Sequence, residues 1–156
     1  NRLNEEVAST LHQKGEDIVN DGMYIALVCY DPKNQQLQYS GAFNPLWLIR
    51  DSEILETKAN RFAIGRSIGE VENRFTNHIV DVKENDIIYL FTDGYSDQFG
   101  GKDGKKFKTG NFKELLLSIY SKSVDDQRNL LDKTIEDWRG ESEQIDDMLI
   151  IGRKFA

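Results

Sequence analysis

The sequence predicts an α+β fold in which helices pack on antiparallel sheet, and three observations carry that prediction. Short apolar segments separated by tight turns fill the first half, two helix-patterned segments follow, and one apolar strand comes last. At 156 residues the chain has the size of one domain. Its 38% hydrophobic and 30% charged residues are the balance of a globular protein rather than a disordered one.

Leu3, Val7 and Leu11, with Ala8 beside them, recur at the spacing of an amphipathic helix over residues 3–15, ending near Gly15. Asn20-Asp21-Gly22 is a turn signal, and the apolar run 23–30 after it reads as a strand. Both alternating sets in that run are apolar, so the strand is expected to be covered on both faces, with Cys29 buried and inert. Asp31-Pro32-Lys33-Asn34 turns the chain into strands at 36–42, 46–50 and 53–57, which with the first predict a four-stranded antiparallel meander. Further strands are expected at 78–82 and 86–91.

Residues 100–113 then change character, with five lysines against one aspartate, a local charge of +4, and several glycines. Phe112, Leu115, Leu116 and Ile119 mark a helix after them. Ser123 is placed to cap a second, with Asp125 and Asp126 in its first turn; Leu131, Ile135 and Trp138 share one face, and Gly140 stops it. Residues 148–151 form the last strand.

Composition excludes several functions. Lys plus Arg number 20 against 27 Asp plus Glu, a net charge of −7, which suits neither nucleic acid nor an anionic membrane surface. No apolar run approaches the roughly 20 residues of a membrane span, and no basic-then-apolar leader opens the sequence, so a cytoplasmic location is expected. A single cysteine allows no internal disulfide and no thiolate zinc cage. A cysteine-dependent phosphatase would need Arg six residues after Cys29, where Gln35 stands. His12 and His78 form no His-Glu-x-x-His pair, and the glycines of 100–110 do not make a Walker motif.

Two places put carboxylates at the ends of apolar strands. In Phe91-Thr92-Asp93-Gly94-Tyr95-Ser96-Asp97 a strand delivers Asp93 to its lip, and Gly94 leaves room for close approach. In Gln144-Ile145-Asp146-Asp147-Met148 a carboxylate pair precedes the last strand. If the two strands are neighbours, Asp93 and Asp146 converge, and converging oxygen donors without histidine or thiolate suit Mg²⁺ or Mn²⁺. Taken alone, the same residues also read as an ordinary turn and a solvated cap.

These two segments resemble the C-terminal motifs of the metal-dependent serine/threonine phosphatases of the stage II sporulation protein E type, bacterial relatives of the type 2C phosphatases. Tyr39-Ser40-Gly41-Ala42-Phe43-Asn44-Pro45 followed by Leu46-Trp47-Leu48-Ile49-Arg50 is similar to that family's hairpin, and Ala63-Ile64-Gly65 falls where the family has a turn. The resemblance covers nearly the whole chain in order. It implies a two-layer antiparallel β-sandwich flanked by helices, with two Mg²⁺ or Mn²⁺ ions at one end. By motif position Asp93 and Asp146 would be metal ligands and catalytic, and Asp97 would match an acidic position that can serve an additional metal. Asp147 would be an accessory carboxylate. The implied reaction is hydrolysis of phosphoserine or phosphothreonine by metal-activated water, without a covalent phosphoenzyme.

The chain departs from the family at one end. The upstream aspartate and the Asp-x-x-Gly-His-Gly segment that supply the bridging ligand are absent, and the sequence begins at Asn1 rather than Met. Residues 1–156 are therefore expected to be the C-terminal two-thirds of one catalytic domain, inactive in isolation. Tyr24 stands where relatives often carry an acidic residue. By kinship the substrate would be a phosphorylated regulator of the anti-sigma factor antagonist kind, with a sensor domain upstream in the parent chain and a homodimer as a further expectation. The competing reading is a non-catalytic phosphatase-like module that binds a partner. A haloacid dehalogenase-type phosphotransferase lacks its Asp-x-Asp motif here. The lysines at 102, 105, 106 and 108 are expected to form a mobile flap beside the site.

Overall fold

In the computed structural model of the chain, the described residues are 1–11, 22–65 and 74–156. The elements are α1 (Arg2–Leu11), β1 (Ile25–Asp31), β2 (Gln36–Ala42), β3 (Leu46–Arg50), β4 (Glu53–Thr57), β5 (His78–Asp81) and β6 (Ile87–Phe91), then α2 (Gly94–Asp97), β7 (Phe99–Gly100), β8 (Lys105–Lys106), α3 (Thr109–Ile119), α4 (Val124–Arg139) and β9 (Ile150–Lys154). The α+β class is the one the sequence predicts: antiparallel sheets with helices. The described residues divide into two units, Asn1–Leu46 with Thr57–Val82, and Trp47–Glu56 with Lys83–Ala156. The end of the first helix expected at 12–15, His12 and the turn at Asn20 and Asp21 lie outside the described residues.

In the first unit the strand order is β1-β2-β5, antiparallel throughout. The turn into β2 is the expected one, because the Asp31 carboxylate accepts the N–H of Lys33 at 2.9 Å and substitutes for a backbone turn. Leu37 and Tyr39 on one face of β2 are fully buried. The expectation that β1 is covered on both faces is not met. Leu27 is 59% exposed and Cys29 is exposed. The reason lies in the register: Leu27 and Cys29 face Ser40 and Gln38, with Ile79 beyond, and on this side of the sheet Leu27, Cys29, Gln38 and Ile79 are exposed. Cys29 is thus an exposed free thiol rather than a buried one.

The predicted four-stranded meander also breaks, after β2. The end of β2 is captured by Asn60, which donates to the Gly41 carbonyl and accepts from the Phe43 N–H, each at 2.9 Å. Phe43 takes a left-handed φ of 62°, and Pro45 offers no N–H to continue the ladder. β3 consequently joins a different sheet.

That second sheet, in the second unit, has the order β4-β3-β6-β9. Trp47 and Ile49 of β3 and Ile87 and Tyr89 of β6 point to one face and form a core with Phe112, Leu116 and Ile119 of α3 and Leu131 and Ile135 of α4. The two helices arise where the periodicity places them. Ser123 caps α4 by accepting the Asp126 N–H at 3.1 Å, and Gly140 ends it at φ 55°. Buried hydroxyls are satisfied: Tyr89 donates to Gln127, and Tyr95 to the Leu131 carbonyl. Burial pushes the Tyr89 phenol up to about 12, so it stays protonated at neutral pH. Asp86, 2% exposed, is held by Arg50 in a two-pronged ion pair and by the Lys83 N–H.

The last strand runs later than expected, over Ile150–Lys154 instead of 148–151, because its ladder partner β6 extends back to Ile87. The one-turn helix α2 and the hairpin β7–β8 are too short to show in the sequence pattern. No helix among the described residues is long and apolar enough to cross a membrane.

Candidate metal centre

Strand β6 lies between β3, which pairs with it as far as Tyr89, and β9, which pairs with it to its end at Phe91. The adjacency predicted for the two carboxylate-bearing strands is present: Phe91 pairs with Ile150 and Leu90 with Ile151, antiparallel. Antiparallel pairing brings the residues just after β6 beside those just before β9.

Thr92 makes that juncture rigid. Its N–H donates to the Leu149 carbonyl at 3.0 Å, its hydroxyl accepts the Leu149 N–H at 2.9 Å, and the same hydroxyl donates to the Asp147 carbonyl at 2.7 Å. Gly94 closes the approach. A Cβ there would stand 2.5 Å from the Asp147 carbonyl oxygen and 3.2 Å from that of Asp146. Only glycine lets the two segments come this near.

Asp93 occupies the N-cap position of α2 at φ −72°, ψ −16°, yet its side chain makes no capping bond. Its exposed carboxylate is uncommitted to the helix. Asp146 is also exposed, and its carboxylate accepts the Asp147 N–H at 2.7 Å, which leaves further lone pairs available. The structure therefore brings the Asp93 and Asp146 segments together. Asp97 follows one turn after Asp93, its N–H donating to the Asp93 carbonyl at 2.9 Å, and its carboxylate meets Lys106 at 2.7 Å.

Oxygen donors alone on an exposed lip fit a hard divalent ion better than a soft one. Among the described residues no group of three or more His, Cys, Asp or Glu side chains converges, so Asp93 and Asp146 would supply at most part of an ion's shell. Cys29 and His78 belong to the other unit.

Sequence reasoning finds the carboxylates and misses their fastening. Thr92 and Lys106 both lie within the quoted segments, but a threonine between a strand and an aspartate, or one lysine among five, carries no signal until the loop opposite is known.

The region read as a flap is a hairpin fastened at its base. Gly101 donates to the Trp138 carbonyl at 2.7 Å, and a Cβ on Gly100 would fall 1.9 Å from that same oxygen. Two of its four lysines are paired, Lys105 with Asp103 and Lys106 with Asp97, and Lys113 on α3 pairs with Glu56.

Solved structures share this fold. The phosphatase domain of SiaA from Pseudomonas aeruginosa superposes with a TM-score of 0.82 at 27% identity, over 98% of this chain and 58% of that one. The phosphatase domain of the cell fate determinant SpoIIE from Bacillus subtilis gives 0.64 at 13% identity, over 98% and 71%. A serine/threonine phosphatase of S. agalactiae gives 0.60 at 14% identity, over 97% and 65%. The chain thus spans little more than half of the SiaA domain. No curated protein matches it. The sequence profile of stage II sporulation protein E matches residues 1–155, and the chain belongs to that family, which places it among the type 2C-like phosphatase domains.

Proposed function

We propose that residues 1–156 are the C-terminal two-thirds of a metal-dependent phosphoserine/phosphothreonine phosphatase domain, with Asp93 and Asp146 as ligands of its Mg²⁺ or Mn²⁺ ions. The observation that carries this reading is the juncture of β6 and β9, where Gly94 packs against the backbone of Asp146 and Asp147. When bound, such ions supply an acidified water for direct attack on phosphorus. The chain's own residues hold the two carboxylates on one lip, and the Thr92 bonds keep the lip from opening.

Two carboxylates bind Mg²⁺ weakly, because that ion gives up water reluctantly and needs further oxygens. The remaining ligands would come from the part of the domain that the chain does not include. The substrate in this reading is a phosphorylated regulatory protein of the anti-sigma factor antagonist kind, and the parent polypeptide carries a sensor domain upstream. Exposed apolar residues on β1 and β9 are open to a second copy, which agrees with a homodimer.

The test is hydrolysis of p-nitrophenyl phosphate with millimolar Mn²⁺ by the chain alone, by a longer protein containing the rest of the domain, and by that protein carrying Asp93→Asn or Asp146→Asn. The expected result is silence of the chain, turnover by the longer protein, and loss of about a hundredfold or more in each variant. Turnover by the chain near the longer protein's rate would show that two carboxylates suffice. Silence of the longer protein would favour the non-catalytic, partner-binding reading.

A further inference from the structure

Asp93 and Asp97 stand four residues apart on the single turn of α2. Side chains at that spacing leave the helix on one side, about 5–6 Å apart at Cβ, and two negative charges there repel. The structure answers that repulsion with a lysine from another element. Nζ of Lys106 lies 2.7 Å from Oδ2 of Asp97 and 5.9 Å from the centroid of the Phe99 ring.

The lysine is held in that position by the backbone. Lys106 pairs with Phe99 in the β7–β8 ladder. The next two residues are tied down as well: the Phe107 N–H donates to the Gln98 carbonyl at 2.9 Å, and the Lys108 N–H to the Ser96 carbonyl at 2.7 Å. Phe107 is buried, and the hairpin base rests on Trp138 at Gly100 and Gly101 without room for a side chain. Lys105, adjacent on the strand, points to the other side and pairs with Asp103 instead. Only one of the two lysines is therefore directed to Asp97.

We propose that Lys106 is the resident cation of Asp97, a positioning residue that keeps this carboxylate out of the ion site. It leaves Asp93 with Asp146 as the pair that faces the ion. The proposal rests on the metal reading above and deepens it: where an acidic position is free to take an additional metal, this chain supplies an ammonium of its own. Removing Lys106 should create binding capacity rather than destroy it.

The test is Mn²⁺ binding to the longer protein that contains this chain and the rest of the domain, at low ionic strength, read from the electron paramagnetic resonance signal of free Mn²⁺, with circular dichroism confirming that each variant is folded. Lys106→Gln should bind Mn²⁺ about tenfold more tightly, because a nearby positive charge is gone and a carboxylate is released. Lys106→Arg, which keeps the charge, should restore wild-type affinity. Asp97→Asn, which leaves the Lys106 ammonium without its partner, should give no gain in affinity, and adding it to Lys106→Gln should abolish that variant's gain. An unchanged or weaker affinity in Lys106→Gln would overturn the proposal, as would a gain that persists when Asp97→Asn is added to it. Asp93→Asn and Asp146→Asn in the same series separate the two claims. If these two lose binding while Lys106→Gln gains none, the role of Lys106 falls and the metal reading stands. If they leave binding intact, or if no variant binds Mn²⁺, both fall.

Discussion

What distinguishes Gly94 from the many glycines that follow aspartates in turns is the Asp147 carbonyl, which occupies the space a Cβ would need. The Asp93-Gly94 and Asp146-Asp147 pairs are legible in the sequence because each sits at the end of an apolar strand. The contact between them is not, since it depends on which strands are neighbours. The pairing of Asp86 with Arg50 was equally hidden, since Arg50 ends β3 and Asp86 precedes β6, 36 residues later. Burial acts to raise the Asp86 carboxyl, but hydrogen bonds from the Arg50 guanidinium and the Lys83 N–H, with their charges, overcome it and hold the carboxyl below its ordinary value. A group depressed in the folded state contributes stability that is present above the unfolded value, near pH 4, and is lost as pH falls through the folded value. Arg50→Met leaves a buried carboxylate unpaired and should cost about 3–5 kcal/mol at neutral pH. In urea unfolding followed from pH 7 to pH 3, the gap between variant and wild type should shrink as Asp86 becomes protonated. A gap that stays constant over that range would show that the ion pair is not its source.

Among the elements, those whose packing repeats in sequence were legible and those fixed by a single contact were not. α3 and α4 follow from their apolar spacing and the Ser123 cap. The meander failed because Asn60, eighteen residues beyond β2 by sequence number, takes the hydrogen bonds at that strand's end. Cys29 failed because apolar alternation on both faces does not say which faces are covered. The hairpin β7–β8 shows the same limit for charge. The excess over residues 100–113 is legible, but pairing neutralises Lys105 and Lys106 of β8 and Lys113 of α3, and among the described residues Lys102 and Lys108 make no ion pair. Attraction of an acidic or phosphorylated protein substrate should accordingly depend on these two. Lys102→Ser with Lys108→Ser, in the longer protein, should raise KM severalfold at low salt with kcat unchanged, and the effect should fade as salt screens it. An unchanged KM at low salt would remove the hairpin from substrate recognition.

At the scale of the whole molecule, the chain is a strand pair ending in two exposed aspartates, carried on a scaffold that spans 58% of the SiaA domain. The class of fold and the order of its motifs were legible from end to end, because the family's apolar strands and acidic lips recur in fixed sequence. That ligands are missing was expected from the absent upstream motifs, but the number of donors that meet is a matter of geometry. Among the described residues fewer than three of the acidic, histidine or cysteine side chains converge. The central claim is that β6 and β9 deliver Asp93 and Asp146 to the same cation. The most direct measurement is the anomalous scattering of Mn²⁺ in crystals of the longer protein that contains this chain. The account predicts a peak about 2.1 Å from carboxylate oxygens of Asp93 and Asp146, with Asp97 still on Lys106. A peak touching only one of the two aspartates, or lying away from both, would contradict it.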